Sequence, residues 1–277
     1  RFMGNVTLRR ALYLSRNLVS IRLLQSVGID RTRNYLVNFG MLEQELPRNL
    51  TLALGTAQVL PIQIATGYAA FANGGYRVQP YFIAYIENHQ GEIIYQARPY
   101  AVCRDCTKAA DPADDEILDG STTDRNERLI QPVDVAPPAT DAAEALPTEA
   151  LPAEADAAAI VQRPPLLTRP AEQIIDGNAA YDMANILRDV VQVGTARAAL
   201  KLGRNDLAGK TGTTNDAEDA WFSGFQPKMV AVAWVGFDQP KSLGRREYGG
   251  VAALPIWTDF MGKALADVPE QWLTRQG

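Results

Sequence analysis

Histidine and cysteine are nearly missing from this chain of 277 residues: His89 stands alone, and Cys103 and Cys106 are the only thiols. One histidine and one Cys-x-x-Cys cannot fill the four positions of a structural zinc site. The pair leaves two readings, a small disulfide in an oxidising compartment or two reduced thiols on a loop. A Ser-His-Asp triad needs an imidazole held in place, whereas His89 falls in a predicted hairpin turn and reads as solvated. Any serine chemistry here must manage its protons with a lysine.

Long hydrophobic runs are missing too. The longest serious candidate, residues 229–237, reads as a strand and is far short of a membrane-spanning helix. No signal-peptide pattern opens the sequence; it begins at Arg1 and turns helical almost at once, so it reads as a piece cut from a longer protein. A basic excess is also absent. The net charge is −5, which argues against a nucleic-acid partner. That acidity is local: residues 132–158 hold six acids with no Lys or Arg, and the remainder is close to neutral. With 47% apolar residues the chain as a whole reads as an ordinary soluble globular protein, long enough for one sizeable core or two modest ones.

What is present organises into three stretches. Residues 1–102 read as helix, break, helix, then a further helix starting at Pro61 and stopping at Asn73-Gly74-Gly75. Thr7 is the expected cap of the first helix and Gly28 the expected stop of the second. A hairpin over 81–97 turns at His89-Gln90-Gly91. Residues 103–170 read as an insertion, largely disordered, because Ala, Pro and acids fill its centre and offer nothing to bury. Residues 171–277 resume with a helix near 178–193, strands over 207–213, 220–225 and 229–237, and a closing helix from Pro255 to about Ala266. Short connections favour antiparallel pairing, so the expected class is α+β, an antiparallel sheet with helices packed on it.

The chemistry concentrates at Gly209-Lys210-Thr211-Gly212-Thr213. A phosphate-binding loop would need a glycine at 204, where Arg204 stands, and a helix after Thr211, where a strand pattern follows. The alternative is a strand bordering an acyl-transfer site. There Lys210 supplies a positive charge, Thr211 and Thr213 supply hydroxyls, and Gly212 leaves room for a substrate backbone. Ser15-Arg16-Asn17 supplies the companion Ser-x-Asn motif. On an unbroken helix Ser15 and Asn17 would point about 200° apart, so the chain must leave helical geometry there if both serve one site.

These strings, with Leu8-Arg9-Arg10-Ala11-Leu12, Ala69-Ala70-Phe71-Ala72-Asn73-Gly74-Gly75, Asp219-Ala220-Trp221-Phe222-Ser223-Gly224 and Trp234-Val235-Gly236-Phe237-Asp238, closely resemble the transpeptidase domain of class A penicillin-binding proteins of the 1A type. The resemblance covers nearly everything outside the insertion. It implies a serine β-lactamase/D,D-transpeptidase-like fold that is incomplete at its N-terminal side, with early sheet strands missing and a sheet edge left open. It implies a bifunctional peptidoglycan synthase at the periplasmic face of the bacterial inner membrane, anchored by a segment before Arg1. Its partners would be stem peptides ending in D-Ala-D-Ala, with β-lactams as inhibitors and no metal or organic cofactor.

Carried over by motif, Ser15 would relay a proton to the leaving nitrogen and Asn17 would bond a substrate amide. Lys210, Thr211 and Thr213 would hold the terminal carboxylate, with the Thr213 N–H as half of an oxyanion hole. The nucleophile motif Ser-x-x-Lys is absent: Ser15, Ser20, Ser26, Ser121, Ser223 and Ser242 all lack Lys three residues on. It is expected before Arg1, so the chain alone is expected to be inactive. The competing expectations are a serine β-lactamase-like hydrolase and a non-catalytic cell-wall binding module.

Overall fold

The computed structural model describes residues 4–102 and 165–275. Nearly all of them belong to one compact unit, Arg1–Arg104 with Leu166–Gly277; a second unit, Asp105–Pro165, contributes only Pro165 to the described residues. Cys103, Cys106 and the acidic stretch 132–158 therefore lie outside them.

Helix α1 (Leu8–Tyr13) starts where Thr7 Oγ1 accepts the Arg10 N–H at 3.2 Å, as its sequence position foretells. Helix α2 (Asn17–Val27) ends at Gly28, whose φ of 96° suits glycine. Helix α3 (Ile29–Val37) is not anticipated by the sequence reading. Its inward positions are not all apolar. Arg33, 4% exposed, donates to the Leu46 carbonyl at 3.0 Å and the Glu43 carbonyl at 2.7 Å, while Ile29 and Leu36 pack on Leu24, Leu46 and Leu52. A buried arginine satisfied by carbonyls breaks the periodicity that would reveal the helix. Helix α4 (Pro61–Ala72) opens on Pro61 as expected.

Strands β1 (Tyr85–Glu87) and β2 (Ile93–Gln96) form the expected hairpin, with a register shift at Ile86/Glu87 that explains its imperfect alternation. His89 is exposed in the turn. Strands β3 (Tyr100–Ala101) and β4 (Arg169–Pro170) pair in parallel, so regular structure resumes just before residue 171. Helix α5 (Gly177–Gln192) is capped by Asp176, whose carboxylate accepts from Asn178 N at 3.0 Å and Ala179 N at 3.1 Å.

Three antiparallel strands follow in the order β5 (Ala208–Thr213), β6 (Ala220–Gln226), β7 (Met229–Val235), and α6 (Ala253–Ala264) closes the fold. Helix α6 begins two residues before Pro255, within the first turn, where a missing N–H breaks no helical bond. Alternation assigns the faces of the sheet. Phe222 meets Trp257 of α6 edge-to-face at 4.9 Å on one side, and Phe225 meets Tyr68 of α4 and Trp272 on the other. This is the expected α+β layout. No helix among the described residues is long and apolar enough to cross a membrane.

A buried ion pair ties the end of the described chain to the start of the sheet. Asp206, 2% exposed, takes both arms of Arg204 at 2.9 and 2.8 Å, the Gln226 amide at 3.1 Å and the Gln271 N–H at 3.0 Å. Burial alone raises the Asp206 carboxyl, but these four donors together outweigh it and hold the group below its ordinary value. Arg204 spends another nitrogen on the carbonyls of Leu265 and Val268. Asp206→Ala strips a largely enclosed guanidinium of its carboxylate partner and is expected to cost about 3 kcal/mol in urea unfolding, well beyond the range of a surface ion pair.

Candidate active site

The break between α1 and α2 is a Schellman turn. Ser15 N donates to the Leu12 carbonyl at 3.0 Å and Arg16 N to the Ala11 carbonyl at 2.9 Å, with Ser15 in the left-handed region at φ 52°. Glycine is the usual occupant, and serine there costs on the order of 1 kcal/mol. Arg16 is then extended, at φ −85° and ψ 95°, and Asn17 opens α2. The departure from helical geometry required by a shared Ser15/Asn17 site is present.

Strand β5 brings Lys210 to that turn. The Lys210 ammonium donates to Ser15 Oγ, 195 positions away, and to the Thr211 carbonyl at 2.8 Å. Burial pulls Lys210 down to about 8 from its ordinary 10.5. Thr211 and Thr213, two apart on β5, share a side by strand alternation. Thr211 Oγ1 lies 2.8 Å from Thr195 Oγ1, and Thr213 Oγ1 accepts the Gly249 N–H at 3.0 Å. Asn17 is exposed at the first position of α2, and no hydrogen bond among the described residues ties it to Lys210 or Ser15.

Gly212 has a structural reason beyond an open path for substrate: a Cβ there would stand 3.1 Å from the Trp221 Cβ on β6, its cross-strand partner. Thr195 and Gly249 are not singled out by the sequence reading. Neither sits in a chemical motif; only the register of β5 reveals them. A further close approach locks the two halves together. Gly194 lies under Tyr13, where a Cβ would stand 2.5 Å from its carbonyl oxygen, and Arg9 on α1 pairs with Asp189 on α5.

An ammonium, a serine hydroxyl bonded to it, and two threonine hydroxyls on the same edge strand are groups that can bind an anion. Among known sequences, a family model described as penicillin binding protein transpeptidase domain matches residues 1–115 and 157–262. The chain belongs to this family. It is similar to penicillin-binding protein 1A of Pseudomonas aeruginosa, 48% identical over 271 residues, which cover 97% of this chain and 30% of that protein. The Neisseria gonorrhoeae protein of the same name is 38% identical over 265 residues, 96% of this chain and 25% of the relative. The chain thus spans less than a third of the length of these relatives.

Among solved structures, penicillin-binding protein 1A from Haemophilus influenzae superposes with a TM-score of 0.73 at 29% identity, over 99% of this chain and 36% of that one. PonA1 from Mycobacterium tuberculosis in complex with penicillin V gives 0.63 at 18% identity, over 100% and 60%, a likeness of fold. The α+β fold is that of the penicillin-binding transpeptidase domains.

Lys210 makes stability depend on pH in a defined direction. Folded chains release its proton near pH 8 and unfolded chains near 10.5, so the unfolded state binds more protons between these values. The cost of the buried ammonium is full below about pH 8 and relieved as pH approaches 10.5. Urea midpoints measured at pH 7.5, 9 and 10.5 should therefore rise in the native chain relative to Lys210→Met, with the gap changing most above pH 8.

Proposed function

We propose that this chain is the substrate-gripping part of a serine-type D,D-transpeptidase that cross-links peptidoglycan stem peptides. The reading is carried by the bond between Lys210 and Ser15, which joins the Lys-Thr-Gly and Ser-x-Asn motifs at one point. A protonated Lys210 can only donate, so it occupies a lone pair of Ser15 Oγ and leaves the serine proton free. In the reaction a nucleophilic serine attacks the carbonyl of the penultimate D-Ala. As it attacks, the nucleophilic serine gives its proton to the lysine of its own motif; the C–N bond then breaks, and that proton returns through Ser15, which hands its own to the departing D-Ala amine and is reprotonated in turn. The amine of a second stem peptide then attacks the acyl-enzyme, its proton passes back to the released serine oxygen as the C–O bond breaks, and the cross-link is complete.

Thr211 and Thr213 donate to the terminal carboxylate, Asn17 bonds a substrate amide, and the Thr213 N–H serves as half of the oxyanion hole. Because β5 is an edge of its sheet, a peptide can lie along it in extended form. The nucleophile and its lysine belong to a Ser-x-x-Lys segment outside these residues, within a longer bifunctional synthase anchored at the inner membrane and facing the periplasm. β-Lactams acylate that same serine, a reading supported by the relatives' names and by the neighbour solved with penicillin V.

Fluorescent penicillin tests this directly. The parent protein should label at a serine of a Ser-x-x-Lys motif, while the 277-residue chain should show no covalent label. Stoichiometric labelling of the chain alone, or none of the parent, refutes the reading. In the parent, Ser15→Ala should slow acylation roughly 10²-fold or more, as expected for losing a positioned proton donor.

A further inference from the structure

The two threonine hydroxyls of β5 differ in what holds them. Thr213 Oγ1 accepts from a backbone N–H, that of Gly249, at 3.0 Å. An N–H never accepts, so the Thr213 lone pair is engaged and its proton stays free for a ligand. Thr211 Oγ1 instead meets another hydroxyl, Thr195 Oγ1, at 2.8 Å, where either oxygen can be the donor. If Thr211 donated to Thr195, it would turn a lone pair toward an incoming carboxylate and repel it. Only with Thr195 donating do both β5 hydroxyls offer protons to one anion.

We propose that Thr195 is a positioning residue that donates to Thr211 Oγ1 and so commits the Thr211 proton to the substrate carboxylate. The proposal rests on the transpeptidase reading above. It also explains why Thr195 is so firmly placed although it is itself exposed. The preceding Gly194 is wedged between the Tyr13 carbonyl and Val190, where a Cβ would stand 2.5 and 2.8 Å away. The following Ala196 is fully buried and donates to the Val190 carbonyl at 3.0 Å. From the other side Gly250 approaches the Thr195 carbonyl, with a Cβ position 3.2 Å from it. The end of α1 that delivers Ser15 therefore also fixes Thr195. Hydroxyl chains of this kind strengthen as the far end binds a charge, so the contribution grows when the carboxylate arrives.

The experiment uses the full-length parent protein with Thr195→Val, which keeps the shape and removes the donor, and Thr195→Ser, which keeps the donor. Second-order acylation rates are measured with benzylpenicillin and with its methyl ester, which lacks the carboxylate. Thr195→Val should slow benzylpenicillin about tenfold, in line with a hydrogen bond to a charged-ligand cradle, and change the ester by less than about twofold. Thr195→Ser should restore the native ratio, and Thr195→Ala should repeat the valine result should the valine protein not fold. Equal slowing of both compounds, or of neither, overturns the role of Thr195 while leaving the transpeptidase reading intact. A native parent that neither compound acylates overturns both.

Discussion

A lysine ammonium tucked against a serine oxygen is the constraint around which this fold is arranged. Lys210 is unfavourable where it sits, since burial lowers its proton affinity to about 8, and few groups are positioned to compensate it. Ser15 Oγ and the Thr211 carbonyl do so. To deliver that oxygen, α1 must end in a turn with a left-handed serine; to hold α1 there, Gly194 must accept the Tyr13 carbonyl at close range and Arg9 must reach Asp189. To present the ammonium at the right height, β5 must keep its register on β6. Each demand is local, yet all serve one contact between residues 195 positions apart.

A common logic of proton polarity runs through the site. Lys210 can only donate to Ser15, and the Gly249 N–H can only donate to Thr213. In both places a scaffold donor takes one of the hydroxyl's lone pairs and leaves its proton unused by that bond. In the transpeptidase reading, hydroxyl protons left over in this way would favour an anionic ligand, and the positive charge of Lys210 would add to that preference.

Much of this was legible in the residues. Lys-Thr-Gly on a strand, Ser-x-Asn at a helix break, the Pro61 helix and the hairpin at His89 all depend on short-range rules of turn chemistry and periodicity, and they stand where those rules put them. Helix α3 was hidden because Arg33 points inward and finds carbonyls, which inverts the polarity pattern on which such readings rely. Thr195 was hidden for a different reason. Its chemistry exists only against Thr211, sixteen positions away, and no local spacing encodes that meeting. Gly212 shows only part of its purpose locally, since its neighbour Trp221 comes from the adjacent strand.

The Asp206 ion pair has a consequence for how the chain beyond the family match is held. The family match closes at residue 262, yet the segment beyond it remains anchored to the sheet. Gln271 bonds Asp206, four positions before Lys210, and Trp272 stacks on Phe225 beneath Arg188 while its indole N–H reaches Asn185. Mechanically the domain runs past the border drawn by ancestry, at least as far as Trp272. A version trimmed to that border would keep every motif and lose the buckle that holds the first residues of β5 taut.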